Sequence, residues 1–188
     1  VPVLTEVAAG SPGALFFPIF QPAGDFVADP APGVSGPEGI VLLGADGLQV
    51  QTFMELPQAD GMYLSGPDLR YGVNTNQSTG ATAEKFLADY ESNNGNAPEA
   101  PFWAHSYDAA TILLEAIKAA SHSHDGNLEI DRAGVREYLD NLSGYEGIIG
   151  TLSCDDFGDC GAQRITVVQN SSADFAGSIE NVVFSFAP

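Results

Sequence analysis

Three short runs of apolar residues constrain this chain more than any other feature: Ala14-Leu15-Phe16-Phe17, Ile40-Val41-Leu42-Leu43 and Gly61-Met62-Tyr63-Leu64. A strand with one face in water alternates apolar and polar residues, whereas a strand buried on both faces in a parallel sheet does not. Pro18 stops the first run, and the tight loop Gly44-Ala45-Asp46-Gly47 stops the second. Helical stretches fall between them. Leu4 to Ala9 reads as a helix end closed by Gly10, and Val50 to Leu56 as a short helix. A helix beginning at Gly24 to Asp29 is cut short by Pro30, Pro32 and Pro37, because proline lacks an amide donor and clashes with the preceding turn. The order helix, strand, helix, strand, helix, strand predicts a parallel α/β layer.

Ser65 to Thr79 is polar, without periodicity, and reads as a connector. Helical periodicity follows. Ala83, Phe86, Leu87 and Tyr90 share one face of a helix that Asn93-Asn94-Gly95 ends. Ala110, Leu113, Leu114 and Ile117 form the stripe of a stronger helix over 107–119, with Ser106 as its N-cap and Lys118 in its last turn. Ser121 to Leu128 reads as a polar loop. Asp131 caps a third helix carrying Val135, Tyr138, Leu139 and Leu142 on one face. Ile148 to Leu152, Arg164 to Gln169 and Val182 to Phe186 read as strands. The first half supplies too few strands for a doubly wound sheet, and the second supplies helices that need a sheet to cover.

The charge narrows the function. Twenty-five acidic residues stand against six basic ones, a formal net charge of −19. Nucleic-acid binding rests on Lys and Arg neutralising phosphates, and anionic membrane surfaces need the same cations, so both are disfavoured as partners. No apolar run is long enough to cross a bilayer. The chain starts Val1-Pro2-Val3-Leu4 without the basic and apolar regions of a signal peptide, so Val1 is read as a processed or truncated start. The two cysteines, Cys154 and Cys160, flank a short acidic turn, where a disulfide is geometrically easy and would add ~2 kcal/mol. That favours an oxidising compartment. The alternatives are free thiols or a metal clip, and no further Cys or suitably spaced His supports the clip.

The same residues resemble a family. Ala14 to Pro22 is similar to the lobe-two strand and ligand loop of the leucine/isoleucine/valine-binding proteins, and Leu42 to Gly47 to the next strand and its ligand loop. Gly61 to Pro67 is similar to the strand that leads into an interlobe hinge, and Phe102 to Ala110 to the start of the helix that returns to lobe one. Gly147 to Gly161 resembles the family hairpin, with the cysteines added. The ordered set spans essentially the whole chain. It implies a type I periplasmic-binding-protein (Venus-flytrap) α/β fold with three-layer, parallel-sheet lobes, incomplete for want of its N-terminal part. Residues 1–66 would form part of lobe two, 67–168 part of lobe one, and 169–188 a C-terminal return to lobe two.

The resemblance implies an extracytoplasmic subunit that captures an amino acid or related small amine or amide for an ABC permease in the membrane. A sensory domain of the same fold is the alternative, and a small α/β enzyme a more distant one. Asp46 matches the acidic position that binds the ligand ammonium, where relatives carry Glu; read alone, it is also a turn Asp capping the next helix. Phe20 and Phe102 match aromatic wall positions, Phe20 being equally suited to core packing, and Trp103 and Tyr107 are weaker wall candidates, Trp103 by itself being more often a core or interface residue. The family's carboxylate-binding groups come from the first lobe, so this chain alone, as a monomer, is expected to bind weakly or not at all. Incomplete sheets suggest a homodimer or strand exchange. No cofactor is implied. Catalysis finds no support: there is no Gly-x-Ser-x-Gly elbow, and His105, His122 and His124 show no carboxylate partner at a recognisable spacing. His122-Ser123-His124-Asp125 reads as a solvated loop in preference to a metal site, and so does the Asp155-Asp156-Asp159 turn.

Overall fold

A computed structural model of the chain describes residues 2–29, 39–162 and 164–187. Pro30, Pro32 and Pro37, read above as helix breakers, lie outside the described residues. The chain divides into two units. The first comprises Val1–Leu69, Glu99–Pro101 and Arg164–Pro188; the second comprises Arg70–Pro98 and Phe102–Gln163.

The first unit is built on a five-stranded mixed sheet. Helix α1 (Pro2–Ala9) precedes β1 (Ala14–Phe17), and α2 (Ala23–Ala28) precedes β2 (Val41–Gly44). A 3-10 turn at Asp46–Leu48, α3 (Gln51–Met54) and a second 3-10 turn at Pro57–Ala59 lead to β3 (Tyr63–Pro67). The three apolar runs pair in parallel as read from the sequence, β1 on β2 and β2 on β3. Strand β3 runs on through Ser65, Gly66 and Pro67, residues the composition assigns to a connector; backbone pairing with the strand Ile165–Gln169 outweighs their low strand preference. The chain's last part returns antiparallel, and the sheet order is β1-β2-β3-β9-β10, with β9 at Ile165–Gln169 and β10 at Val182–Phe186. Between these strands, α7 (Phe175–Glu180) was not legible from periodicity. It is six residues long and held by Asp174, whose side chain accepts from the Gly177 amide.

The register places Leu15, Phe17, Leu42, Leu64 and Val168 on one face of this sheet. They pack with Leu48, Phe53, Met54, Ala59 and Met62 into the core. Asn170, 3% exposed, ties that layer to the sheet: its Nδ2 donates to the carbonyls of Met54 and Ala59, 2.8 Å each. The opposite face carries Phe16, Val41, Ile165, Phe184 and Phe186, all exposed. In parallel α/β sheets both faces are ordinarily covered.

The second unit contains α4 (Ala83–Asn94), α5 (Trp103–Ala119), a hairpin of β4 (Ser121–His124) and β5 (Asn127–Ile130), α6 (Arg132–Asp140) and a small sheet of β6 (Tyr145–Gly147), β7 (Gly150–Cys154) and β8 (Cys160–Gly161). Three sequence expectations need correction here. Helix α5 starts a turn earlier than its apolar stripe, at Trp103, so Ser106 is not its N-cap; its amide already donates to the Phe102 carbonyl. The ring of Trp103 stacks on Phe86, with centroids 5.1 Å apart and planes within 7°, and packing of this kind extends a helix past its capping signal. Ser121 to Leu128 is not a loop but a hairpin with a two-residue Asp125-Gly126 turn, both residues at positive φ. The expected strand from Ile148 to Leu152 begins two residues later, as β7 at Gly150, because Ile148-Ile149 is the tight turn between β6 and β7. Cys154 and Cys160 are joined by a disulfide across β7 and β8.

One buried carboxylate organises this unit. Asp108 of α5 is 1% exposed. Its Oδ1 accepts from the Ile148 amide at 3.0 Å and from Asn76 Nδ2 at 2.8 Å, and its Oδ2 accepts from the Ile149 amide at 2.9 Å. Gly147 makes room for it, since a Cβ there would stand 2.5 Å from Oδ2. Asn76, fully buried, passes the network on to Thr111, the Ser78 amide and the Tyr145 hydroxyl. Replacing the carboxylate by an amide turns one acceptor into a donor facing a backbone N–H. We expect Asp108→Asn to destabilise the second unit by about 2–4 kcal/mol, with amide-exchange protection lost first at Ile148 and Ile149. Urea unfolding followed by hydrogen exchange checks this; unchanged protection at those two amides would refute it.

Candidate ligand site

In open α/β sheets, ligands sit beyond the carboxyl ends of the parallel strands. At that edge of the first unit, β1 leads through Pro18 to Phe20, and β2 leads through Gly44-Ala45 to Asp46. The structure brings Phe20 against Gly47, the residue that follows Asp46; a Cβ on Gly47 would meet ring carbons of Phe20 at 2.6 and 2.8 Å. Phe20 is 70% exposed, so its ring is a surface and not part of the core.

Asp46 opens a 3-10 turn, and no side-chain hydrogen bond caps that turn. Among the described residues nothing hydrogen-bonds its half-buried carboxylate. The sequence gives the first unit one basic residue, Arg164, and its guanidinium holds Asp68 at 3.2 Å. A carboxylate without internal partner beside an exposed aromatic ring can take a cation or a hydrogen-bond donor carried on an apolar body. The polar rim comes from Gln21 and Thr52, residues the sequence reading passed over. Thr52 Oγ1 donates to Gln21 Oε1 at 2.6 Å, and Gln21 Nε2 donates to Asp25 at 2.9 Å. Gln49, 2% exposed, leaves its Oε1 without a partner.

The other sequence candidates belong to the second unit. Phe102 is 40% exposed and meets His105 edge-on, with centroids 5.3 Å apart. Trp103 and Tyr107 are half-buried and converge on Phe86, stacked in the first case and edge-on at 5.0 Å in the second. Tyr71 packs edge-on against Trp103, and the Tyr107 hydroxyl donates to Thr79 Oγ1 at 2.9 Å. These two rings therefore already serve an internal aromatic cluster. A surface concavity of this unit lies between the end of α5, β4 and α6, lined by Ala120, His122, Gly134, Glu137, Tyr138 and Asn141 among others.

No protein-family model matches this sequence, and no curated protein sequence does. The fold is that of type I periplasmic binding proteins. The chain superposes over its full length on 48% of a leucine-binding protein from Thermotoga maritima, with a TM-score of 0.70 and 21% identity. It also covers 45% of an ABC-transporter solute-binding protein from R. palustris in complex with benzoate (TM-score 0.63, 16% identity, 99% of this chain). An extracellular ligand-binding receptor from Rhodopseudomonas palustris HaA2 matches over 89% of this chain and 48% of its own (TM-score 0.67, 16% identity). The chain thus spans about half the length of these structures.

His105 carries a pH signature of its own. Its Nδ1 is buried without a partner, and desolvation lowers its pKa below the usual histidine value, with the charge of Asp108 opposing. The unfolded chain therefore takes up a proton near pH 6.5 that the folded chain resists, so stability falls as pH drops through that point. Melting temperatures between pH 7.5 and 5.5 should decline, and His105→Gln should flatten the decline. An identical slope in the variant would exclude His105 as its source.

Proposed function

We propose that this chain is part of an extracytoplasmic ligand-binding protein that captures an amino acid or related small amine or amide for an ABC importer. The observation that carries the proposal is the unpartnered Asp46 carboxylate beside the exposed Phe20 ring, at the carboxyl edge of parallel strands. Asp46 takes the ligand ammonium and Phe20 forms an apolar wall. Asp in place of Glu shortens the arm by one methylene, so the ammonium lies closer to the strand edge. Phe102 is a wall residue of the second unit by resemblance, with Trp103 and Tyr107 as further candidates.

In this reading residues 1–66 belong to lobe two, 67–168 to lobe one, and 169–188 return to lobe two. The exposed apolar sheet face around Phe16, Val41, Phe184 and Phe186 seats further polypeptide; strand exchange with a second copy is the alternative, separable by solution mass. The partners are a small amino-acid-like solute and a membrane permease. The neighbour described as an extracellular ligand-binding receptor supports a second reading, a sensory domain of the same fold. No described helix is long and apolar enough to cross a membrane.

A thermal-shift screen of the chain at millimolar ligand tests the site. A ligand that binds only the folded state raises the melting temperature by mass action. Leucine, another aliphatic amino acid or a small amide should stabilise the protein, and Asp46→Ala should abolish the shift while Phe20→Ala reduces it. Benzoate, which carries a carboxylate and no ammonium, should give none. A benzoate shift that survives Asp46→Ala would move the ligand class to simple carboxylates and end the ammonium assignment.

A further inference from the structure

The β4–β5 hairpin carries a pattern that ligand capture does not use. His122 and His124 stand two residues apart on β4, so their side chains share a face. Glu129 of β5 is paired in register with His122 and lies on that face as well. This corrects the sequence expectation that the histidines lack a carboxylate partner. Glu129 Oε2 is 3.1 Å from His122 Nε2, and its Oε1 is 3.3 Å from His124 Nδ1. The Asp125-Gly126 turn, with φ of +49° and +78°, fixes this register through the backbone, so the three side chains are placed without having to hold one another.

Two imidazoles and a carboxylate form the donor set of borderline divalent metals, with an open position left for water. Metal–ligand bonds of about 2.0–2.1 Å put neighbouring donors of a tetrahedral shell about 3.3 Å apart. Both His–Glu separations already have that length. What the unliganded hairpin lacks is convergence: each ring faces a different carboxylate oxygen, and among the described residues no three His, Cys, Asp or Glu groups are placed to hold a metal ion until these side chains turn. The side chains are 63%, 65% and 51% exposed, so turning them onto one point meets no packing.

We propose that the β4–β5 hairpin is a binding site for a divalent transition metal of the zinc and copper type, with His122, His124 and Glu129 as its three protein ligands. Calcium and magnesium, which prefer shells built of oxygen donors, are not its cargo. The net charge of −19 gathers cations of every kind, so the test must separate a site from that atmosphere.

Isothermal titration of the 188-residue chain with Zn²⁺, in a background of millimolar Mg²⁺, makes the separation. One saturable site per chain is expected, with Cu²⁺ binding more tightly than Zn²⁺. His122→Ala, His124→Ala and Glu129→Gln should each weaken it at least tenfold, and His105→Gln should leave it unchanged. Zn²⁺ should also shift the ring resonances of His122 and His124 in the unmutated protein and spare those of His105, which keeps the test independent of how any variant folds. No saturable binding above the Mg²⁺ background would overturn the proposal. So would a site that survives both His→Ala changes, which would assign the metal to the acidic surface.

Discussion

The second unit depends on one carboxylate. Asp108 projects from α5 and accepts the two backbone amides at the Ile148-Ile149 turn, so a helix and a hairpin forty residues apart in sequence are held by charge-assisted hydrogen bonds in a water-free place. Such a group costs a great deal to bury unless every lone pair is used. Here Asn76 takes a further position on Oδ1, and Thr111 and Tyr145 satisfy Asn76 in turn. Gly147 follows from the same requirement, because any side chain there would occupy the carboxylate's own space. One ionised group thereby fixes the start of α5, the β6–β7 turn and the Asn76 loop.

The first unit is organised differently. Its core is aliphatic and aromatic, and its order comes from register: parallel β1, β2 and β3 each present alternate residues to a layer of short helices. Polar contacts there join the returning segment to earlier loops, Asn170 to Met54 and Ala59, Arg164 to Asp68 and Ser172 to Asp60. A core of this kind places loops at strand ends without filling them. That leaves the Asp46 carboxylate unpartnered and the Phe20 ring open, while the second unit spends its polar groups on itself.

The legible parts of the sequence were those where local pattern and tertiary demand agree. Unbroken apolar runs gave β1, β2 and β3, and the i, i+3, i+4 stripe placed α4 and, with Asp131 at its head, α6. Asp46 could be named from its place at a strand end together with the family resemblance, and Phe20 from the resemblance alone. The failures have physical causes. The β4–β5 hairpin has a strong Asp-Gly turn signal, but its first flank, Ser-His-Ser-His, has no apolar residue to match the alternation of Asn-Leu-Glu-Ile on the other, and all but one of those residues are exposed. The start of α5 was hidden because stacking with Phe86, sixteen or more residues earlier, sets it. Asp108 looked like one acid among 25, since nothing local reveals that the amides it serves lie at residues 148 and 149.

These differences bear on what each unit can do. A chain this acidic repels anions, so any ligand carboxylate needs donors that Asp46 and Phe20 do not provide, and Asp46 can serve only a cationic or hydrogen-donating group. In the proposed site, specificity for the rest of the ligand comes from apolar contact, and an aromatic wall without a hydroxyl, as proposed at Phe20, separates side chains by size and shape alone. One missing methylene in such a wall is worth only about 1–3 kcal/mol of discrimination. A site of this construction therefore selects sharply for a cationic or hydrogen-donating group and distinguishes one aliphatic side chain from the next weakly.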